Sequence, residues 1–403
     1  MVQNQISETA TPPGIPVSDI DIYDPANLVN PHPGYQALRD LGPVVWLPKY
    51  DCGFVGRYDE VAQLQSNAKD FVSSRGVGLS DIDNPGNWRP PSPLVEIDPP
   101  AHTEIRLVMN KIMAPSRIQS WRDRFRETAT TICESVLEKG TIDAAKDIAE
   151  KYIFQVFSES LGVDLDLRKT ITLGDFIFNA GGPQNELYHR SKQEIDEISE
   201  WFDSRQKREA MIPGGLGELI YEAEDRDELP PGTAPLMVRT LLRGGMDTTI
   251  SSLSTTLRLL AENPDAWQKA KAEPAFVMDV FEEAIRLESP SQIHFRTTTK
   301  DVEFAGVTIP ANSKIAVGIG SANRDPRFWE APDEFRPRTR TGRHLGFGIG
   351  PHVCLGRHMA KLEIECFLTE FLSRVNRLEI AGPYKYRVIN GLRTLDTLPL
   401  TVS

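Results

Sequence analysis

The sequence lacks the features of several protein classes. Its four cysteines include no C-x-x-C pair and no histidines at zinc-finger spacing, and so few cysteines in 403 residues exclude a disulfide framework. No stretch has the apolar length of a membrane span. The start, MVQNQISETATPPGIPVSD, has neither the basic nor the apolar region of a signal peptide. We therefore expect a cytoplasmic protein with no membrane contact.

An excess of positive charge is also missing. The net charge is −12 at pH 7, with 57 acidic residues against 45 lysines and arginines. Nucleic-acid binding needs clustered basic residues, so we expect no nucleic-acid partner. With 25% charged and 40% hydrophobic residues, the composition is that of an ordinary globular protein, which we expect to be a monomer.

Helical patterns dominate the chain, and strand patterns are short and scattered. The helical patterns lie near 115–138, 143–162, 186–210, 233–262, 273–288 and 355–375, and the strand patterns near 43–56, 303–309, 313–318 and 377–401. The strands do not alternate with helices as a parallel α/β sheet requires. We therefore predict a mainly α fold with small β-sheets. Residues 1–18 are expected to form a flexible tail and residues 19–403 a single domain.

The longest helical pattern runs over residues 233–262. Thr233 is the predicted N-cap, Pro235 falls in the first turn, and Asn263-Pro264 ends the pattern. Its middle reads LLRGGMDTTISS, and two adjacent glycines in a helix interior cost roughly 1 kcal/mol each relative to alanine. A helix weakened at its centre predicts a groove there.

One cysteine has unusual surroundings. Cys354 lies in HLGFGIGPHVCLGRHMAKLEIE, between a glycine-rich turn and the start of a helical pattern. A thiolate persists at neutral pH only near positive charge or hydrogen-bond donors, which a helix N-terminus supplies. The other residues expected to shape this environment are the glycines at 348, 350 and 356 and the arginines at 336, 338, 340 and 343. The other three cysteines are expected to be buried as small hydrophobic residues.

These residues carry a resemblance to a known family. The stretch FGIGPHVCLG, residues 347–356, resembles the haem-ligand signature of the cytochrome P450 superfamily. The resemblance implies the cytochrome P450 fold, with a long central helix over haem b (iron protoporphyrin IX). It also implies that Cys354 is the axial thiolate of the iron, a ligand that favours cleavage of the O–O bond. Phe347, Gly348 and Gly356 would lie beside the cofactor.

The middle of the long helix matches the same family. GGMDTT at 244–249 resembles its oxygen-activation groove, where glycines open the helix and hold water. By this resemblance Thr248 would hydrogen-bond the bound dioxygen and Asp247 would relay protons, as general acid catalysis requires.

Two further sets of charged residues resemble the family. Glu283 and Arg286 form an E-x-x-R pair, which in the family is a structural ion pair behind the haem. Its usual third partner is an arginine in the following loop, where Thr339 holds the expected position between two arginines, so that partner stays open. The residues that match the haem-propionate partners are His102, Arg106, Arg296 and His352. Carboxylates in an apolar site need such donors.

The resemblance narrows to the bacterial group that oxidises para-substituted benzoates. The matching stretches run from about residue 20 to near the end: SSRGVGLSD (73–81), WRPPS (88–92), DPPAHT (98–103), FNAGGPQNEL (178–187), FRTTT (295–299), SANRDP (321–326) and GLRTLDTLPL (391–400). The resemblance implies hydroxylation or O-demethylation of an aromatic acid such as 4-methoxybenzoate or a more substituted methoxybenzoate.

A clamp for the substrate carboxylate follows from this resemblance. The matching positions are Arg89 and Ser92 before the propionate histidine, and Arg239 and Thr240 on the central helix, where threonine replaces serine and keeps the hydroxyl. A buried carboxylate needs such partners. Both arginines would otherwise be ordinary solvated surface residues.

The remaining pocket positions depart from the group. Gly181 and His294 stand where the group has phenylalanine, Ser291 where it has valine, and Arg243 where it has serine. These changes remove aromatic bulk and add polarity, which predicts a ring with larger or more polar substituents. Repacking around the same ligand is the alternative. The substrate-binding prediction also includes Phe178 and Gly244.

Electrons must come from outside, because the chain has no room for a reductase domain. The resemblance predicts an iron–sulfur ferredoxin served by an NAD(P)H-dependent reductase. A basic cluster on an acidic protein would dock it; its members are Arg336, Arg338, Arg340, Arg343, Arg357 and Lys361.

Other functions stay open. The same enzyme class could oxidise a neutral terpene, macrolide or phenolic ether, in which case a carboxylate would not matter for binding. A peroxygenase usually lacks the acid–alcohol pair present at Asp247 and Thr248. A haem sensor or electron carrier would need neither the groove nor a large pocket.

Overall fold

The computed structural model describes residues 11–84, 90–338 and 342–403. Within them, the α-helices α1 to α17 are, in order, Pro25–Val29, His32–Leu41, Tyr58–Ser66, Ala101–Ile112, Pro115–Ile118, Arg122–Lys139, Lys151–Leu161, Leu167–Ala180, Glu186–Glu197, Ser199–Arg205, Leu216–Asp225, Thr233–Gly244, Asp247–Glu262, Pro264–Ala272, Phe276–Glu288, Ile319–Ala322 and Arg357–Arg374. A π-helical segment, Ala145–Glu150, runs directly into α7.

The strands are short and form small sheets. Strands β1 to β12 are Val45–Leu47, Cys52–Val55, Phe71–Val72, Thr141–Asp143, Ile293–Thr298, Val302–Phe304, Val307–Ile309, Lys314–Gly318, Leu378–Ile380, Lys385–Tyr386, Leu395–Thr397 and Pro399–Val402. The largest sheet has the order β1-β2-β8-β5-β3, in which β2 and β8 are parallel and the other neighbours antiparallel. The fold is therefore mainly α with small β-sheets, as predicted.

The helical core positions the cysteine loop. α6 packs along α17, and α13 packs against α15 and the π-helical segment. α13 is buried along almost its whole length. Cys354 lies three residues before α17 begins, so the main helix packing fixes where the sulfur stands.

The predicted central helix is divided in two. α12 ends at Gly244 and α13 begins at Asp247. The N-cap is Gly232, with a φ of 81°, so the prediction of Thr233 as N-cap is wrong and Thr233 is the first helical residue. A left-handed φ suits glycine and not threonine, which explains the shift by one residue. Asn263 ends α13 as predicted.

Residues 15–18 were predicted to belong to a flexible tail but pack against the sheet. Ile15 is buried, and Val17 forms a bridge with Trp46 of β1, so residues 15–18 lie on the sheet. Residues 1–10 are outside the described part of the chain. In the described ranges, we find no helix with the length and apolar character needed to cross a membrane.

Candidate active site

The loop of residues 344–356 holds Cys354 between tight turns and α17. The N–H of Cys354 donates to the carbonyl of Phe347 over 2.8 Å. Gly348 and Gly350 have φ values of +70° and +76°, which other residues rarely adopt. A Cβ at Gly350 would also lie 2.7 Å from a neighbouring backbone oxygen. These two positions therefore require glycine.

Gly356 has a different reason to be glycine. Its φ of −78° is ordinary, so the backbone conformation does not require glycine at this position. A Cβ there would lie 3.9 Å from the Sγ of Cys354, so glycine leaves space beside the sulfur.

The sulfur of Cys354 has hydrogen-bond donors around it, and the residue is half-buried. Burial has the largest effect and raises the pKa of Cys354 above the ordinary thiol value. The backbone N–H groups of Gly356 and Arg357 donate to the sulfur and oppose this rise, as do the charges of Arg106 and Arg357. These two arginines are the cations that affect the sulfur, and of the predicted arginines upstream of the loop Arg340 lies outside the described residues. A thiolate at this site therefore needs a further positive partner, such as a metal ion.

Two histidine rings meet beside the cysteine loop. The ring centroids of His102, on α4, and His352 are 4.2 Å apart. Both nitrogens of His102 and the Nε2 of His352 are buried without a hydrogen-bond partner among the described residues. Burial and nearby positive charge lower the pKa of His352 to about 3. Buried ring nitrogens of this kind require an acceptor or donor that the described residues do not supply.

Arg296 and Arg106 add positive charge to the same place. Arg296, on β5, is 7% exposed and donates to the carbonyl of the preceding residue over 2.8 Å. Burial lowers the pKa of Arg296 to about 10, which the charge of Asp98 opposes. Both arginines lower the pKa of His352, so they lie within electrostatic reach of it. The four predicted propionate partners are thus brought together, and carboxylates would satisfy them.

The E-x-x-R pair makes hydrogen bonds to the backbone of the segment that precedes the cysteine loop. Arg286 binds both carboxylate oxygens of Glu283, each over 2.7 Å. Arg286 also donates to the backbone carbonyls of residues 323, 332 and 334. Glu283 accepts the backbone N–H of Arg336 over 2.8 Å. Backbone groups thus take the place of a third arginine among the described residues; Thr339 and Arg340 lie outside them.

The interruption of the central helix exposes two carbonyl groups. The side chain of Thr248 donates to the carbonyl of Gly244 over 3.4 Å, and that of Thr249 to Gly245 over 3.2 Å. A Cβ on Gly244 would meet no atom within 4 Å, whereas one on Gly245 would lie 2.3 Å from a ring carbon of Phe157. Gly245 therefore permits close packing, and Gly244 borders open space.

Comparisons with known proteins show the family of this chain. The family model described as Cytochrome P450 matches residues 192–379. A protein named Cytochrome p450 CYP199A2, from Rhodopseudomonas palustris, is 40% identical over 392 residues, covering 97% of this chain and 95% of that protein. The chain belongs to the cytochrome P450 family. It is also similar to the beta-dihydromenaquinone-9 omega-hydroxylase of Mycobacterium tuberculosis, at 29% identity, with 96% and 79% of the two chains covered.

Solved structures show the same cytochrome P450 fold. CYP109Q5 from Chondromyces apiculatus has a TM-score of 0.78 and 30% identity, with 95% of this chain and 98% of that chain covered. The cytochrome P450 CREJ, in complex with (4-ethylphenyl) dihydrogen phosphate, has a TM-score of 0.85 and 24% identity, with 94% and 99% covered. The protein is therefore a cytochrome P450 monooxygenase.

The haem of this family fits the described residues. A half-buried sulfur that accepts from two backbone N–H groups suits an iron ligand, and the unpartnered histidine nitrogens suit two propionates. Open space also lies beside Gly244, at the end of α12, where a Cβ would meet no atom within 4 Å. When bound, haem supplies the activation of dioxygen and the transfer of one oxygen atom to the substrate.

In this cytochrome P450, Asp247 lies in a cluster of carboxylates that we did not predict. Asp247 is 9% exposed, and burial, with a contribution from Asp175, raises its pKa to about 7. Arg387 opposes this rise, and it binds Asp175 over 3.0 Å and Glu150 over 3.3 Å. These partners lie at distant points of the chain, so no local sequence signal could have found them. Asp247 is half protonated near neutral pH.

Two of the predicted clamp residues are in contact. The hydroxyls of Ser92 and Thr240 are 2.8 Å apart. Thr240 also donates to the carbonyl of Leu236 over 2.8 Å, so its hydroxyl accepts from Ser92. The loop before the propionate histidine is thereby fastened to α12.

Two of the arginines predicted near the substrate, Arg239 and Arg243, lie on α12. The guanidinium carbon of Arg239 lies 5.8 Å from the ring centroid of Phe202. Arg89 falls outside the described residues. Arg243 is half-buried and lies one helical turn beyond Arg239, nearer the interruption of the helix.

The predicted pocket residues Phe178 and Gly181 lie at the end of α8. Both are half-buried, and Gly181 is the C-cap of the helix. The carbonyl of Gly181 accepts the N–H of Leu79 over 2.9 Å. A Cβ on Gly181 would meet only ordinary contacts, the nearest at 3.4 Å, so a side chain can be accommodated there.

The basic cluster is partly neutralised by acidic neighbours. Arg338 binds Asp279 and Glu273, and Lys361 binds Glu282 over 2.5 Å. Arg336 approaches Glu330 at 3.9 Å. Arg343 and Arg357 are exposed, and Arg340 lies outside the described residues.

Proposed function

We propose that this cytochrome P450 oxidises an aromatic carboxylic acid of the para-alkoxybenzoate type, with O-demethylation as the reaction on a methoxy group. One oxygen atom of O2 enters a C–H bond of the methyl group, and the resulting hemiacetal breaks down to a phenol and formaldehyde. The other oxygen atom leaves as water, which requires two electrons and two protons. A ferredoxin delivers the electrons.

The hydroxyl pair of Ser92 and Thr240 supports this proposal more than any other observation. It brings together two segments that the resemblance assigns to carboxylate binding, at 2.8 Å. Arg239, the neighbour of Thr240 on α12, supplies positive charge beside it. A buried carboxylate is stable only with such charge-assisted partners.

The roles of the other residues are part of the proposal. Cys354 binds the iron, and Phe347, Gly348 and Gly356 shape the loop around it. His102, Arg106, Arg296 and His352 hold the propionates. Thr248 donates a hydrogen bond to dioxygen, and Asp247 supplies protons for the reaction. The residues that surround the substrate ring are Phe178, Gly181, Gly244, Ser291 and His294.

An optical titration of the ferric protein tests the substrate class. We expect 4-methoxybenzoate to shift the spectrum from low to high spin and its methyl ester to have little effect. On binding, the hydroxyl of Thr240 would turn from the carbonyl of Leu236 to the carboxylate, so Thr240→Val should weaken binding of the acid by about 10-fold, which corresponds to roughly 1.4 kcal/mol. The control is Thr308→Val, on the exposed β7 hairpin. Equal binding of acid and ester would favour a neutral substrate.

An iron–sulfur ferredoxin, reduced by an NAD(P)H-dependent enzyme, is the proposed electron donor. Arg357 is exposed at the start of α17, three residues after the cysteine, so it stands on the thiolate side of the site. Arg343 is also exposed and directly precedes the cysteine loop of residues 344–356. Docking to an acidic partner there would depend strongly on salt.

The structure provides a matched control for ferredoxin docking. Arg343→Glu and Arg357→Glu together should slow reduction by the ferredoxin and reverse its salt dependence. Arg338→Glu should have a smaller effect on docking, because Glu273 and Asp279 already neutralise Arg338. If the double variant is reduced at the wild-type rate at every salt concentration, the docking site lies elsewhere.

A further inference from the structure

The two faces of β5 have different environments. Ile293 and Phe295 pack into a hydrophobic cluster on one face. Side chains alternate along a strand, so His294 and Arg296 lie on the other face. Arg296 is close enough to His352 to lower its pKa. His294 therefore lies on the same face of β5 as Arg296, which is one of the predicted propionate partners.

The imidazole of His294 is uncharged and partly accessible. Burial, with a contribution from Arg296, lowers the pKa of His294 to about 4. The side chain is nevertheless only half-buried.

Ser291 orients the ring. Its hydroxyl lies 3.2 Å from the Nε2 of His294. A neutral imidazole has one donor and one acceptor nitrogen, so this bond assigns one role to Nε2 and the opposite role to Nδ1. Nδ1 has no hydrogen-bond partner in the described parts of the chain. Since the serine hydroxyl can rotate, the pair can offer a donor or an acceptor to a neighbouring molecule.

The rest of the proposed pocket favours a ring. The resemblance assigns Phe178 to the same pocket, and a Cβ on Gly244 would meet no atom within 4 Å. A polar pair in such a pocket binds a polar group on the ring better than a methyl group of equal size, which would leave it unpaired.

We propose that Ser291 and His294 bind an oxygen substituent at the ring position next to the reacting para group. The preferred substrates are then aromatic acids with a phenolic hydroxyl beside a para-alkoxy group. This inference rests on the proposed function, since the carboxylate clamp sets which end of the ring reaches β5.

Two ligands of equal size test the inference. Ferric protein is titrated optically with 3-hydroxy-4-methoxybenzoate and with 4-methoxy-3-methylbenzoate, and 4-methoxybenzoate serves as the reference. The wild type should bind the hydroxyl compound roughly 3- to 10-fold more tightly than the methyl compound, the range expected for one neutral hydrogen bond. In His294→Phe and in Ser291→Ala the ratio should approach one.

The control variant lies on the opposite face of the same strand. Ile293→Val should keep the wild-type ratio. The reduced carbon monoxide spectrum shows for each variant that the haem site is intact; if His294→Phe fails this check, Ser291→Ala decides. A wild type that binds 4-methoxybenzoate but has the same ratio as both variants overturns this inference and leaves the proposed function standing. If none of the three acids shifts the spectrum, both fail.

Discussion

The carboxylate of Asp247 lies directly against the backbone of Gly174. A Cβ at Gly174 would be 2.2 Å from Oδ2 and 2.4 Å from Oδ1, far inside contact distance. α8 can therefore approach α13 only because residue 174 has no side chain. This approach also brings Asp175 close enough to raise the pKa of Asp247.

Gly174→Ala should disrupt this contact. Glycine to alanine in a helix interior normally stabilises by roughly 1 kcal/mol, but here overpacking should lower the free energy of unfolding by about 1–3 kcal/mol. Denaturant unfolding followed by circular dichroism measures this. Gly181→Ala, at the end of the same helix, is the control and should cost little, because its Cβ would meet only ordinary contacts. Equal stability of the two variants would contradict the packing argument.

The titration of Asp247 should appear in the pH dependence of coupling, the fraction of electrons that end in product. With a pKa of about 7, the carboxyl is mostly protonated at pH 6 and mostly ionised at pH 8. A proton donor is depleted as pH rises, so coupling should fall through pH 7. Asp247→Asn should give a flat profile and product formation slower by about 100-fold or more. A step that persists in this variant belongs to another group.

Arg387→Gln should move that step to higher pH. Arg387 holds the pKa of Asp247 down, so removing its charge favours the protonated carboxyl further. The midpoint of the coupling profile should rise above that of the wild type. Arg377→Gln is the matched control, since it removes an arginine whose partner, Glu379, is on the exposed surface. An unchanged midpoint in Arg387→Gln would show that the cluster does not reach Asp247.

Glu363 should make the protein less stable as pH rises. It is 1% exposed on α17, and burial raises its pKa to about 8 from a usual value of 4.5. Between these values the folded state holds a proton that the unfolded state has released, so the free energy of unfolding falls with increasing pH. Glu363→Gln should therefore be more stable than the wild type at pH 8, by about 1–3 kcal/mol, and similar at pH 4.5.

Urea unfolding at both pH values checks this prediction. Glu330→Gln is the control, because the side chain of Glu330 is 84% exposed. A gain for Glu363→Gln that is equal at pH 4.5 and pH 8 would contradict a role for ionisation.

The sequence predicted the elements whose signals are local. The helical periodicity, the stop at Asn263-Pro264 and the glycine turn before Cys354 depend on neighbouring residues, and the structure has all three. The start of α12 was misplaced by one residue, because a left-handed glycine N-cap has no distinctive pattern. The strand β5 was missed, since a short strand in the middle of a mixed sheet has little alternation to recognise.

In the candidate site, too, only the residues with local sequence signals could be predicted. Cys354, Asp247 and Thr248 lie in short motifs and could be proposed from sequence. The partners that set the pKa of Asp247 come from the π-helical segment, from α8 and from the segment after β10, and only tertiary packing unites them.

The interruption at Gly245-Met246 separates the residues proposed to bind the substrate from the residue proposed to supply protons. α12 carries Thr240, Arg239 and Arg243 on the proposed substrate side, whereas α13 begins with Asp247 and is anchored by the core. A substitution that tilts or repacks α12 need not disturb the acid at the start of α13. Substrate preference can thus diverge among related enzymes while the proton-donating group keeps its place.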